Sequence, residues 1–519
     1  MWFVISIVIS IVSLIISGLY LYFIRHFNYW KEKSVSYVEP FPFFGNLKDV
    51  MLQKTDIGHL LKNVYDTHKG MPYVGIFFFD QPALLIRDLN LVKQILVKDS
   101  YEYFMDRIIN MDENVDPMGN KNMFSLKGEK WRYMRAKMTP TFTSVKIKNM
   151  LHLVQTCGNE LVECLKNPGS EDSSIEVKDT MARYTTDVIA SCAFGIEANS
   201  LKDPEVEFRR ILRSIFQFTP HKALAGLTSF FAPAIQSFLK LRLIDEDVTN
   251  FVRNTVWRTK EHREKNGLIR KDFMDSIIQT IAKSGVEEKG FQYVDVQGQK
   301  IKIDGDDFVA QAYIFLAAGF EPASTTMSFA LYELSFRSDI QDKIREEISN
   351  TKSKYSDQIT YQELQETTYL DMVIAETLRK YPVVPFLDRV ASKDYQLASN
   401  DGTESLILKA GTAVYVPVLA IHNDPEYYPD PEIFDPERFT EENKSQRPSY
   451  TYLPFGEGPR TCIGARFGLL KVKIGLIYIL SNYEVKPCSR TPTSLIFDPK
   501  PFLLATEGEI PLIFKRIER

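Results

Sequence analysis

Cys462 lies in the segment FGEGPRTCIGARFG, which begins at Phe455, with Gly456, Gly458, Gly464 and Pro459 around it and an amphipathic helix pattern directly after it. A cysteine at a helix start meets unpaired backbone N–H groups and the positive end of the helix dipole. Both favour thiolate over thiol and make the sulfur a competent metal ligand. Glycines at these positions let the backbone approach a flat cofactor closely, and Arg460 adds a positive charge two residues earlier. A second group of charges lies upstream, in AETLRKYPVVPFLDRV, where Glu376 and Arg379 fall on one helix face. Alone, such a pair is an exposed ion pair worth a few tenths of a kcal/mol. Trp131 and Arg135, four apart in EKWRYMRAKMTPTFT, are also helix neighbours, and alone they describe an ordinary amphipathic helix.

Long helices must position these groups. Helical periodicity is predicted over 129–156, 177–194, 206–218, 246–265, 271–283, 305–337, 339–350 and 362–380. The run 305–337 would span ~45–50 Å, enough to cross a whole domain, and Pro322 inside it predicts a kink. YVGIFFFDQPALLIRD (73–88) reads as a β-hairpin turning at Asp80-Gln81-Pro82, and the polar, Gly-rich stretch 284–304 as a loop or small hairpin. No internal repeat or low-complexity tract divides the chain. The expected fold class is mainly α with a minor β region, in one large domain.

Composition narrows the function classes. The net charge is −4, from 63 basic and 67 acidic residues, which leaves no footprint for nucleic acid. Five cysteines, odd in number and without CxxC spacing, argue against a disulfide framework or a zinc site and for a reducing compartment. From Trp2 to Phe23 the chain is apolar and uncharged, long enough to cross ~30 Å of hydrocarbon. A cleaved signal peptide would have a basic start and a shorter apolar run. Arg25, His26, Lys31 and Lys33 follow, so the C-terminal side is expected to be cytoplasmic. The expected organisation is a transmembrane anchor over 1–24, a basic, Pro-rich linker over 25–46 acting as a spacer, and a catalytic domain over 47–519.

The cysteine segment resembles the cysteine loop of the cytochromes P-450, Phe-x-x-Gly-x-Arg-x-Cys-x-Gly, with Phe455, Gly458, Arg460, Cys462 and Gly464 at its fixed positions. The resemblance extends from the anchor to Arg519, with the motifs in family order. It implies the P-450 fold and a haem b whose iron takes Cys462 as proximal thiolate, a ligand that favours O–O cleavage. It also implies that Glu376, Arg379 and Arg438 of FDPERF lock together and brace the core. Trp131, Arg135, Arg389 and Arg107 would reach the haem propionates. Ala318, Gly319 and Glu321 fit the family's oxygen-binding groove, but Pro322 stands where the family has threonine, with Thr325 and Thr326 a turn further on. MTPTFTSVKIKNM, TTDVIASCAFGIEANSL and TTMSFALYEL are most like the insect and vertebrate branch that oxidises lipophilic foreign compounds. That likeness implies the endoplasmic reticulum membrane, a cytosolic catalytic domain, and NADPH-derived electrons from a flavoprotein P-450 reductase, with cytochrome b5 as an accessory donor.

Three functions are compatible with these residues. The first inserts one oxygen atom from O2 into a lipophilic small molecule. The second is reductase-independent isomerase or dehydratase chemistry on a hydroperoxide, which the Pro322 departure keeps open. The third is a haem-binding sensor without turnover. Segments 108–124, 314–323, 383–388 and 497–503, with Phe216 and Phe218, resemble substrate-facing positions and are largely apolar. At Pro322 the missing N–H and the ring are expected to open the helix between Ala318 and Glu321, where a bound water would replace the lost hydroxyl.

Overall fold

The computed structural model describes residues 1–518 apart from 167–173, 285–290, 295–297, 299, 352–358 and 398–405. The apolar N-terminal run forms one helix, α1 (Trp2–Ile24), with no buried residue. It is long and apolar enough to cross a membrane. A single turn, α2 (Tyr29–Glu32), follows and buries Trp30 completely. The indole lies where a Cβ on Gly75 would stand, 2.5 Å from Trp30 Cγ, and its Nε1 donates to Ile76 O at 3.1 Å. Arg25 also pairs with Asp80 at 2.8 Å. The stretch read as a spacer is therefore in part packed against the core. Aromatic and aliphatic side chains inside the basic stretch, Trp30 and Val35, fasten it to the sheet.

That sheet has four strands. β1 (Tyr73–Phe78) and β2 (Gln81–Ile86) form the expected hairpin, although its turn is Phe79-Asp80 and Pro82 is already paired with Phe77. β2 runs parallel to β4 (Ala413–Val416), which pairs antiparallel with β3 (Leu387–Val390). Arg389 is thus carried on a strand whose neighbours fix it. Within 284–304 the described residues form a small hairpin, Phe291–Val294 with Lys300–Ile303.

Helices make up the rest of the frame. The run expected over 129–156 is two helices, α3 (Gly128–Met138) and α4 (Ser144–Leu165), separated by a 3-10 turn at Thr139–Phe142. Pro140 accounts for the break, since it cannot donate inside a helix. α5 (Val177–Ile189) ends in a π turn, Ala190–Phe194, closed by the left-handed Gly195. The span 362–380 likewise divides at Thr367, before α7 (Thr368–Lys380). Two helices not read from the sequence, Pro220–Phe231 and Pro233–Phe238, each start with proline as first residue. That placement costs no hydrogen bond.

α6 (Gly305–Ser335) is the axis of the larger core. Its N-terminus is set by a capping box between Asp304 and Asp307, and Lys121 and Lys130 pair with these two carboxylates at 2.7 Å each. The expected opening at Ala318–Glu321 is corrected, because the helix stays unbroken through Pro322. Hydroxyls bond the backbone around the ring: Ser324 Oγ donates to Glu321 O at 2.9 Å and Thr326 Oγ1 to Pro322 O at 2.7 Å. α8 (Ala465–Leu480) packs against both α4 and α6.

Candidate functional site

The cysteine loop is built on a close backbone approach. Gly458 has φ +73°, and a Cβ there would lie 1.8 Å from Leu96 O, so only glycine lets the loop dock on the chain at Leu96. The amide of Cys462 then donates to Phe455 O at 2.8 Å, closing the loop just before α8. Cys462 is exposed. Burial pushes the thiol up, opposed by the Gly464 amide, Arg135, Lys471 and Arg107. The helix start therefore does not by itself keep the free protein's sulfur ionised, and a bound cation would have to complete the effect.

Cations converge beside this loop. Arg460, 7% exposed, donates to the carbonyls of Met105 and Leu126 at 2.7 Å each and lies 4.1 Å over the ring of Trp131. Arg389 is 1% exposed and donates to Asp388 O, while its Nε has no hydrogen-bond partner. Arg107 pairs with Asp388 at 2.8 Å. Burial, then repulsion from Arg107, pulls Arg389 down to about 9 and Arg460 to about 8, against the opposing pull of Asp106 and Asp388. Two carboxylates do not balance three guanidiniums, and an orphaned buried donor is costly. Arg135 is placed on the loop itself, its Nη2 donating to Thr461 O at 2.8 Å.

The bracing charges are together and dry. Glu376 and Arg379 are both fully buried and form a two-pronged pair, Nε to Oε2 at 2.7 Å and Nη2 to Oε1 at 2.8 Å. Asp435 N–H donates to Glu376 Oε1 at 3.0 Å, and Arg438 Nε lies 3.5 Å from the same oxygen. Burial pushes the Glu376 carboxyl up, and Arg379 opposes it.

The remaining candidate residues lie on α6. Within a helix that is otherwise almost wholly buried, Ile314, Ala318, Glu321, Pro322 and Thr325 remain accessible. Their spacing of three and four residues puts them on one face. Burial pushes the Glu321 carboxyl up, opposed by Lys178 and Arg209. Substrate-facing segments read from the sequence meet in aromatic contacts: Phe124 with Phe502 at 6.4 Å, Phe386 with Phe502 at 5.3 Å, and Phe216 with Phe320 at 5.9 Å.

The cytochrome P450 family model matches residues 36–513. The chain belongs to the cytochrome P450 family. It is 48% identical over 510 residues to cytochrome P450 6j1 of Blattella germanica, covering 98% of both chains. It is 43% identical over 510 residues to cytochrome P450 6k1 of the same species, covering 97% of this chain and 96% of that one. Against the probable cytochrome P450 6a14 of Drosophila melanogaster it is 39% identical over 515 residues, 98% and 99% of the two chains. Membership makes it a P450 monooxygenase that uses haem iron and O2, with a redox partner and a lipophilic substrate. The site fits a haem: an exposed cysteine at a helix start, and surplus buried guanidinium with one orphaned donor for an acidic edge.

Sequence reasoning missed several residues of this P450's site. Asp106 and Asp388, which organise the arginines, carry no motif. Lys471 is legible only as a charge in the midst of an apolar helix.

Proposed function

We propose that this P450 inserts one atom of O2 into lipophilic small molecules, foreign compounds among them, using NADPH-derived electrons from a flavoprotein P-450 reductase, with cytochrome b5 as accessory donor. The reading places α1 across the endoplasmic reticulum membrane as a single span, with the catalytic domain in the cytosol. A haem b would take Cys462 as its axial ligand, and Arg107, Arg389, Arg460, Arg135 and Trp131 would hold its propionates. The observation that carries the reading is the exposed Cys462 beside three guanidiniums that share two carboxylates, with the buried Arg389 Nε left without a partner. Haem supplies the site for dioxygen and the electron-transfer chemistry, with its thiolate ligand favouring O–O cleavage.

The remaining work falls to this chain's side chains. Phe124, Phe386 and Phe502 exclude water and orient an apolar substrate by shape. Ala318 is the exposed small residue on this stretch of α6 and leaves room there for a small ligand. Glu321 is the carboxyl that can take up and pass a proton here, pushed up by burial against the opposing pull of Lys178 and Arg209. Pro322 supplies no hydroxyl, so Glu321 and Thr325 are the polar side chains on the accessible stripe.

The test is spectroscopic and catalytic. The reduced carbon monoxide adduct should absorb at the long wavelength of thiolate ligation, and Cys462→His should lose that band. With added reductase, NADPH oxidation should depend on a lipophilic substrate and yield hydroxylated product. Pro322 favours a second reading, turnover of a lipid hydroperoxide without reductase, and product formed with neither reductase nor O2 would select it.

A further inference from the structure

Lys471 is 1% exposed, in the middle of α8. Two residues on, Lys473 is 4% exposed and takes an ordinary solution, an ion pair with Asp371 at 2.8 Å. Lys471 has no carboxylate within ion-pair distance among the described residues. Its Nζ donates instead to the backbone carbonyl of Gly319, in the accessible stretch of α6. An ammonium carries three donors and is expensive to bury without a counter-charge. Its position is over-determined: the hydroxyl of Tyr184 donates to Lys471 O at 3.0 Å, fixing the helix beneath it. Gly319 is closely packed from the other side as well, since a Cβ there would stand 2.5 Å from Ile189 Cδ1.

The location matters because of Pro322. A proline in a helix withholds the N–H that residue i−4 would accept, here Ala318, and its ring crowds that same carbonyl. The turn Ala318–Glu321 is therefore short of a backbone donor at the point where a polar donor arrives from another helix. Burial pulls the Lys471 ammonium down to about 8, with Cys192 and then Cys462 opposing.

We propose that Lys471 is a positioning residue of the oxygen groove, its ammonium holding the Gly319 carbonyl in the turn that Pro322 leaves one donor short. The proposal deepens the monooxygenase reading and rests on it, because α6 and the cysteine loop must be two walls of one haem site. Lys471 and Pro322 then act on adjacent carbonyls of one turn, those of Gly319 and Ala318, so the effect of each substitution should depend on the other.

The experiment is a double-substitution cycle on full-length, haem-loaded protein: Lys471→Met and Lys471→Gln, each with Pro322 and with Pro322→Thr. Three quantities are read: the carbon monoxide stretching frequency of the reduced adduct, the product formed per NADPH consumed, and the thermal midpoint. With Pro322 present, Lys471→Met should shift the stretching frequency and lower the product-to-NADPH ratio by about threefold or more, the lower range for coupled neighbours. Lys471→Gln, which keeps a donor, should stay closer to wild type, and Pro322→Thr should shrink the Lys471→Met effects. Equal effects in both backgrounds, or a lowered thermal midpoint with unchanged stretching frequency and ratio, would make Lys471 an ordinary core residue and overturn the proposal. If Lys471→Met fails to take up haem, Pro322→Thr must restore uptake, and absence of rescue also overturns it. Wild-type protein without the thiolate-type carbon monoxide band would instead sink the monooxygenase reading itself.

Discussion

Replacing Glu376 by alanine should unfold the haem-binding core, and not merely slow turnover. The carboxylate receives two N–H groups from Arg379 and one from Asp435, all within 3.0 Å, and has no accessible surface. Burying an ion pair yields little net stability, because desolvation cancels most of the attraction. Deleting one partner is different. Arg379 would remain fully buried with only His422 O, Pro431 O and Asn423 Oδ1 as acceptors. Stranding a buried cation in this way costs ~3–5 kcal/mol, a large part of a domain's ~5–15 kcal/mol margin. The assay is haem content per protein, with the thermal midpoint measured in parallel for Glu376→Ala and Glu376→Gln. Alanine should give haem-poor, destabilised protein, and glutamine, which still accepts a hydrogen bond, an intermediate result. A fully haem-loaded Glu376→Ala protein with the wild-type midpoint and low activity would refute the reasoning and give the carboxylate a catalytic role.

Gly458→Ala should lower the thermal midpoint and haem content, since left-handed backbone alone costs ~1–2 kcal/mol and its Cβ would meet Leu96 O. Gly468→Ala, which meets nothing within 4 Å, should do neither. His422 is fully buried, accepts from Leu453 N–H at 2.7 Å and is pulled down to about 3 by burial. Its folded pKa lies below the unfolded value of about 6.5, so its contribution is complete above that pH and is lost as pH falls toward 3, by about 1.4 kcal/mol per unit. Urea midpoints at pH 7 and pH 5 should therefore differ less in His422→Gln than in wild type, and an equal difference would exclude the effect. Arg389→Met should leave the haem-free thermal midpoint unchanged or raised, because it removes a buried cation with an orphaned donor. The same substitution should speed haem transfer to a scavenging globin, and unchanged transfer would remove Arg389 from the propionate site.

The main lines of the fold were legible because periodicity and turn chemistry agree along most helices. Helix boundaries failed where a local feature outweighed the pattern, at Pro140 and at Thr367. At Pro322 the helix continues, and the local sequence does not reveal the hydrogen bonds that Ser324, Thr326 and Lys471 make to the backbone near the ring. At the site, motif residues were readable by type and spacing. Asp106, Asp388 and Lys471 were not, because their importance comes from neighbours over 80 residues away in sequence, or from the absence of a counter-charge, and neither leaves a local pattern.

Trp30 has a mechanical meaning. Between the end of α1 and the sheet there is no slack, since Arg25 is tied to Asp80 and the indole is seated on Gly75. A membrane span attached through such a joint behaves as a lever and not as a tether. Lengthening or shortening its apolar stretch would change its tilt in the bilayer, and the stiff joint would pass that rotation to the whole catalytic body. The haem site would then swing relative to the lipid headgroups, so the length of α1 would act as a setting for where in the membrane a substrate can enter.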